Sequence, residues 1–247
     1  AISSNNSGSS APSTNYASQF FANTSSSVMQ LRNTANSAHI NLFTLAGGPA
    51  FAVDGTINSV NIGKGANSVA ENTVLGENAL DASVTGGSNT AIGFVALTTL
   101  TSGSNNTAVG AQSLQINSTG SSNTALGKDA LRFNTTASHN TAVGVDALTA
   151  NTTGSQNVAV GSQTLIVSTT AANNTAVGYA ALHANSTGTS NVAVGNEALS
   201  TDTTGTQNVA LGAFALQLNT TGNDNIGVGH QALKNNTTGV NNIAIGS

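Results

Sequence analysis

The chain has 247 residues, no cysteine, only 6% charged and 4% aromatic residues, and a formal net charge of −4. Roughly 25% charge is usual in soluble domains, so Ser, Thr, Asn, Gly and Ala must carry both surface and core. The lack of cysteine excludes disulfides, zinc-thiolate sites and thiol catalysis. The five scattered Lys and Arg leave no track for a nucleic acid, and no apolar run nears the ~20 residues of a membrane span.

Taken in chain order, residues 1–15 are rich in Ser and Asn and read as a flexible or extended arm. Residues 16–57 read as a small β-rich cap or assembly segment holding five of the nine aromatics: Tyr16, Phe20, Phe21, Phe43 and Phe51. Within it, 28–32, 39–43 and 50–53 are expected strands, with a turn at Gly47-Gly48-Pro49 and a stop at Asp54-Gly55. Its aromatics are suited to cover the open strand edge of whatever follows.

From 58 to 247 the chain reads as a repeat array. A glycine falls at 76, 93, 110, 127, 144, 161, 178, 195, 212, 229 and 246, every 17 residues without insertion. Four residues before each stands an asparagine: Asn72, Asn89, Asn106, Asn123, Asn140, Asn157, Asn174, Asn191, Asn208, Asn225 and Asn242. Four residues after stands a leucine: Leu80, Leu97, Leu114, Leu131, Leu148, Leu165, Leu182, Leu199, Leu216 and Leu233. The residue before the glycine is always Val, Ile or Leu, and ten after it is Gly except at Ala137 and Ala171. The consensus is Asn-Thr-Ala-Val-Gly-x-x-Ala-Leu-x-x-Asn-Thr-Thr-Gly-x-x. Gly63 precedes Gly76 by 13, so the segment before Asn72 reads as one shorter coil of the same kind.

Each column has a physical reading. Asn-Thr-Ala-Val is a short strand with alternating sides. The first glycine ends it at a dihedral only Gly tolerates. Ala-Leu sends one large apolar group inward per coil, and stacked leucines make a core no single repeat can form. Asn-Thr-Thr-Gly is turn chemistry, with a second glycine for the next corner. The Asn column is expected to stack as an amide ladder. A helix is disfavoured, since two glycines and several β-branched residues per period each weaken it by ~0.5–1 kcal/mol. The expectation is an all-β parallel β-solenoid, with a rod on the order of 50 Å long if each coil rises ~4.8 Å.

Val60-Asn61-Ile62-Gly63-Lys64-Gly65-Ala66 and Thr73-Val74-Leu75-Gly76 resemble the head repeat of trimeric autotransporter adhesins. The 17-residue version resembles repeats of phage tail-fibre and related surface-fibre proteins. The resemblance covers roughly residues 58–247. It implies a left-handed β-roll in which three chains associate side by side, with Val109, Val143, Val160, Val177 and Val194 as the interface column. That family's neck and coiled-coil stalk motifs do not occur in this sequence. The sequence stops mid-repeat at Ser247, which reads either as a chain that continues or as a docking end for a second subunit.

Little in the array points to chemistry. Asp129, Asp146 and Glu197 share the column two after the glycine; with Val95, Phe214 and Gln163 there too, it reads as a solvated outward position. His139, His183 and His230 fall in different columns and build no metal site. Gly63-Lys64-Gly65 lacks phosphate-loop spacing. Sequons at Asn117, Asn134, Asn151, Asn185, Asn219 and Asn236 would be glycosylation acceptors on a eukaryotic secretory route, but turn chemistry alone generates them once per coil and is the preferred reading.

The sequence therefore suggests no enzyme and no cofactor. It suggests a structural or adhesive component of an extracellular, cell-surface or virion fibre, assembling with itself as a trimer or filament. A host-surface receptor or glycan is the further partner considered; nucleic acid and membrane insertion are not. An ice-binding solenoid is the alternative, from the Thr column at 90, 107, 124, 141 and 175, which Val158, Val192, Val209, Ile226 and Ile243 interrupt. A polysaccharide-processing solenoid is disfavoured, because Phe94, Phe133, Tyr179 and Phe214 are scattered rather than aligned as a platform.

Overall fold

Thr-Ala-Val supplies only three strand residues per coil, too few to hold a sheet alone; neighbours in register supply the rest. The computed structural model describes residues 19–23, 28–32, 39–44, 55–57 and 60–246. In it, strand β6 (Thr73–Gly76) is followed by ten three-residue strands, one per coil, from β7 (Thr90–Ile92) to β16 (Ile243–Ile245). All eleven pair in parallel, each residue opposite its counterpart one coil on: Thr90 with Thr107, Ala142 with Ala159, Val177 with Val194. The fold is an all-β solenoid of 17-residue coils.

Counting each coil from its asparagine as position 1, the stacking bonds continue beyond the strand. Gly144 N–H donates to Leu126 O of the coil before (2.8 Å), and Asp146 N–H to Lys128 O (3.0 Å). Leu148 N–H donates to Thr164 O of the coil after (3.0 Å), and Thr135 N–H to Thr152 O (3.0 Å). Coils are thus tied together on every side, which satisfies backbone groups that three-residue strands would leave unpaired.

The interior is thin. Alanines at positions 3 and 8 and the leucine at position 9 fill it, and Leu80 through Leu216 in that column are fully buried. These leucines sit in the left-handed region at φ of 46 to 52°. That conformation costs an L-residue roughly 1–2 kcal/mol, and burial of the side chain returns about 1.5–3 kcal/mol. A polar residue there keeps the strain and loses the compensation.

The two glycine columns differ in kind. Gly144 lies at φ +134°, and a Cβ on it would stand 2.5 Å from Gly161 O. Gly120, in the second column, needs no left-handed backbone; a Cβ there would stand 2.2 Å from Ala137 O and 2.4 Å from Asn117 Oδ1. The second glycine therefore answers close packing, not a corner dihedral.

The segment before Asn72 departs from the expected shorter coil. Strands β4 (Gly55–Ile57) and β5 (Val60–Gly63) are antiparallel to each other, and β5 is antiparallel to β6, with Ile62 opposite Leu75. Thirteen residues are four too few to travel round a coil and return in parallel. The chain instead reverses through Gly65 (φ +79°) and a 3-10 turn at Ala66–Ser68. Gly65 is buried against Leu80, where a Cβ would lie 2.8 Å from Leu80 O, and Asn67 Nδ2 donates to Val84 O (3.2 Å). These residues lie on the first coil.

The chain divides after residue 53 into two units. In the first, β1 (Gln19–Asn23), β2 (Val28–Arg32) and β3 (His39–Thr44) form an antiparallel sheet in that order. The strands expected at 28–32 and 39–43 are present; β1, which contains Phe20 and Phe21, was not expected as a strand. The arm at 1–15, the turn at 47–49 and the strand at 50–53 lie outside the described residues.

Leu148→Ala is expected to lower stability by about 2–5 kcal/mol, as a buried leucine between two stacked ones should. Urea unfolding followed by circular dichroism measures it. A loss below about 1 kcal/mol would contradict a packed leucine column.

Candidate functional site

Two buried amide columns run along the interior. In the first, Asn106 N–H and Asn106 Nδ2 both donate to Asn89 Oδ1 (3.0 and 3.1 Å), while Nδ2 also donates to Gly120 O across the coil (2.9 Å). Backbone donation from one rung to the Oδ1 of the last repeats from Asn72 to Asn242. The side chains thus bond to backbone at least as much as to one another.

The second column, position 12, escaped the sequence reading. Asn134 Nδ2 donates to Asn117 Oδ1 (2.9 Å) and to Ala137 O (3.0 Å), and Asn151 Nδ2 to Asn134 Oδ1 (2.8 Å). These are the asparagines of the sequons. Asn117, Asn134, Asn151, Asn185 and Asn219 are fully buried, and each Nδ2 is hydrogen bonded, so in the folded coils they are rungs and not glycan acceptors. The signal was present as a column that is Asn in six of ten coils, masked by its fit to turn chemistry.

This second ladder is interrupted twice. Ser168 is too short to reach, and both Asn151 Oδ1 and Ser168 Oγ are buried without a partner. At Asp202 a carboxyl replaces the amide. Asp202 Oδ1 accepts from Gly205 N–H (3.1 Å) and Asn219 Nδ2 (3.1 Å), but Oδ2 is buried and unpartnered. In neighbouring rungs the matching atom is a donor, as Asn219 Nδ2 is toward Gly222 O (3.0 Å). Burial pushes the Asp202 pKa up to about 7, against the Gly205 and Asn219 bonds, which lower it. A protonated Asp202 is the isostere of the missing asparagine.

Outward residues divide into two faces. On the sheet face, positions 2 and 4 point away from the buried alanine between them, as in the exposed–buried–half-buried run of Thr107–Val109. Position 4 is aliphatic in every coil, and neither column holds a charge. Val109, Val143, Val160 and Val177 are half-buried, and Val194, Leu126 and Leu211 are exposed. The result is an uncharged strip running the length of the solenoid.

The other face is made of positions 6, 7, 10 and 11. Eight of the ten charged residues between 72 and 246 lie there, with all four aromatics of the array. Side chains meet across coils on this face. Lys234 Nζ lies 5.4 Å from the Phe214 ring centre, and His230 meets that ring edge-on at 6.0 Å. Arg132 lies 5.0 Å over Phe133 and donates from Nε to Gln115 Oε1 (3.0 Å).

The carboxylate column belongs to this face, but it is not uniformly solvated. Asp129 is buried, ion-paired to Lys128 and to Arg132 Nη1 (3.4 Å); its hydrogen bond and then its charge raise the Lys128 pKa. Asp129 keeps the backbone of its column-mates Asp146 and Glu197 (φ 58, 59 and 52°), and its carboxylate is buried because Lys128 and Arg132 close over it, satisfying a charge that water would otherwise solvate. Asp146 and Glu197 remain half-buried. His183 is half-buried with Nδ1 3.4 Å from Gln163 O, while His139 and His230 are exposed. Among the described residues no three His, Asp or Glu gather as a metal site, and no helix is long and apolar enough to cross a membrane. No protein-family model, curated protein or solved structure matches the chain.

The raised Asp202 pKa has a defined sign. Between about 4 and 7 the folded chain holds a proton that the unfolded chain has lost, so this contribution is complete below the usual 3.8 and disappears as pH rises toward about 7. Asp202→Asn is expected to flatten that slope and to stabilise the chain at pH 8 by up to about 4 kcal/mol, with little effect at pH 3. Urea midpoints at the two pH values measure it; equal slopes in both proteins would show that Asp202 does not titrate in this window.

Proposed function

We propose that this chain is a structural and adhesive component of an extracellular or virion-surface fibre and works as a homo-oligomer. The observation that carries the reading is the uncharged strip at positions 2 and 4, whose position 4 is aliphatic in all eleven coils. An aliphatic residue left part-exposed at the same place in every coil suits burial against another copy, and Val109, Val143, Val160, Val177 and Val194 are its centre. A rigid array of like coils also suits adhesion, where contacts weak one by one gain strength by multivalency. The likeness of the 17-residue repeat to tail fibres supports the same reading through residues 72–246, whereas the adhesin-head likeness keeps only Thr73–Gly76 in a coil, because residues 60–63 join a hairpin.

An ice-binding solenoid is the second reading, favoured by outward Thr107 and Thr124 on the same face. The aliphatic residues that replace Thr at 158, 192, 209, 226 and 243 suit packing better than ordered water.

Light scattering and electron microscopy are expected to find a trimer or filament. Val160→Asp with Val177→Asp should convert it to a monomer with an unchanged β-sheet spectrum, since the outward positions do not touch the leucine column. A wild-type monomer at high micromolar concentration would sink the fibre reading, and ice shaping with thermal hysteresis would favour the second.

A further inference from the structure

The variable face is not evenly rough. At Ala180 and Ala184 it drops to two small side chains, where the neighbouring coils carry Gln163 and Glu197 in one column and Val167 and Thr201 in the other. The drop opens a groove of about 370 Å³, walled by Gln163, Tyr179, His183 and Glu197. Gln163 and Glu197 are two coils apart, roughly 10 Å at the strand spacing. That is the width of one sugar ring with its hydroxyls.

The walls are held in place and still have capacity to bond. Tyr179 Oη donates to Gln163 Oε1 (3.2 Å), which leaves the Gln163 amide N–H groups. His183 is tethered through Nδ1 to Gln163 O (3.4 Å), which leaves Nε2. Gln217 Nε2 donates to Glu197 Oε2 (2.7 Å), fixing the carboxylate and leaving Oε1. Tyr179 is 51% exposed, and Ser162 and Asn196 flank it in its column, so nothing stacks on its ring. Ordered polar groups around one open aromatic ring are what a pyranose needs: an apolar C–H face to lie on the ring, and equatorial hydroxyls to meet fixed donors and acceptors.

We propose that this groove binds a neutral hexose unit. The Glu197 carboxylate takes hydroxyl hydrogen bonds well and repels sialylated, sulfated or uronic sugars. The groove binds and does not hydrolyse. The next carboxylate in the column, Asp146, is three coils from Glu197, roughly 14 Å, beyond the roughly 5–9.5 Å at which paired carboxylates cleave a glycosidic bond. The proposal deepens the adhesive reading by naming a ligand, and rests on it only for the purpose of binding.

The test is a calorimetric titration of the full chain with maltotriose, cellotriose, galactobiose and methyl mannoside, and with sialyllactose and a heparin tetrasaccharide as anionic probes. At least one neutral probe is expected to bind with Kd on the order of millimolar. Tyr179→Ala and Glu197→Gln should each weaken it about tenfold, and Ala184→Leu should abolish it by filling the floor. All three sites are on the outer face, and sheet spectra check that the variants fold. No binding by any neutral probe, tighter binding of an anionic probe, or neutral binding indifferent to both Tyr179→Ala and Ala184→Leu overturns the proposal. The oligomer mass is read on the same samples. An intact oligomer that ignores hexoses removes this groove alone; a monomer that binds them removes the fibre reading alone.

Discussion

The buried asparagine at position 1 is the constraint on which the rest of the solenoid depends. A typical coil offers one leucine and two alanines to the core, so apolar burial is small, and from Thr90 on the strands are three residues long. Burying an amide in such an interior costs free energy unless every donor and acceptor is met. Asn106 meets them by bonding to the rung before it and across its own coil to Gly120 O. Both partners are fixed by position. A single inserted residue would displace one of them and leave a buried amide unpaired, which explains why the period holds at 17 from Asn72 to Asn242 without exception.

That constraint sorts the remaining positions. Those that touch a ladder or a stacked backbone have little freedom, and they are the constant columns. The sheet face is constrained more loosely, to β-branched or aliphatic residues, and stays uniform. Positions 6, 7, 10 and 11 give no side chain to either ladder, and eight of the ten charges and all four aromatics of the array collect there. In a repeat protein the face on which coils differ is the face free to acquire a specific contact. A rod can thus keep one surface for its own assembly and another for a ligand, without either compromising the stack.

Period, strand and core were legible because they are column properties. Val143, Gly144 and Leu148 declare themselves by recurring every 17 residues. What was not legible came from three other sources. Asn151 fits a turn as well as a buried rung, and sequence cannot say on which side of the backbone its amide falls. Gly63 sits in a Val-Asn-Ile-Gly pattern like a coil's, yet the short spacing to Gly76 sends the chain back antiparallel, a matter of path length and not of residue type. Asp129 looked like its column-mates, but Lys128 and Arg132 beside it cover the carboxylate. The groove at Ala184 was hidden because it is a deletion of bulk, visible only when the columns are compared for what varies instead of what recurs.

The two faults in the second ladder are not placed at random with respect to that groove. Ser168 belongs to the coil before the one carrying Tyr179, Ala180 and Ala184, and Asp202 to the coil after it. Asn185, the rung between, bonds to Gly188 and has neither the acceptor below nor the donor above that Asn134 enjoys. The stretch behind the floor of the groove is therefore where the second ladder is least tied together, with all three unpartnered buried side-chain polar atoms of the described residues in these coils or the one adjoining. Local stability is lowest where such satisfaction fails, and breaches of an otherwise uniform rule collect at functional sites. The same three coils thus combine a depression in the outer face with a slackened second ladder beneath it, while the hydrogen bonds of Tyr179, His183 and Glu197 hold the walls themselves in place.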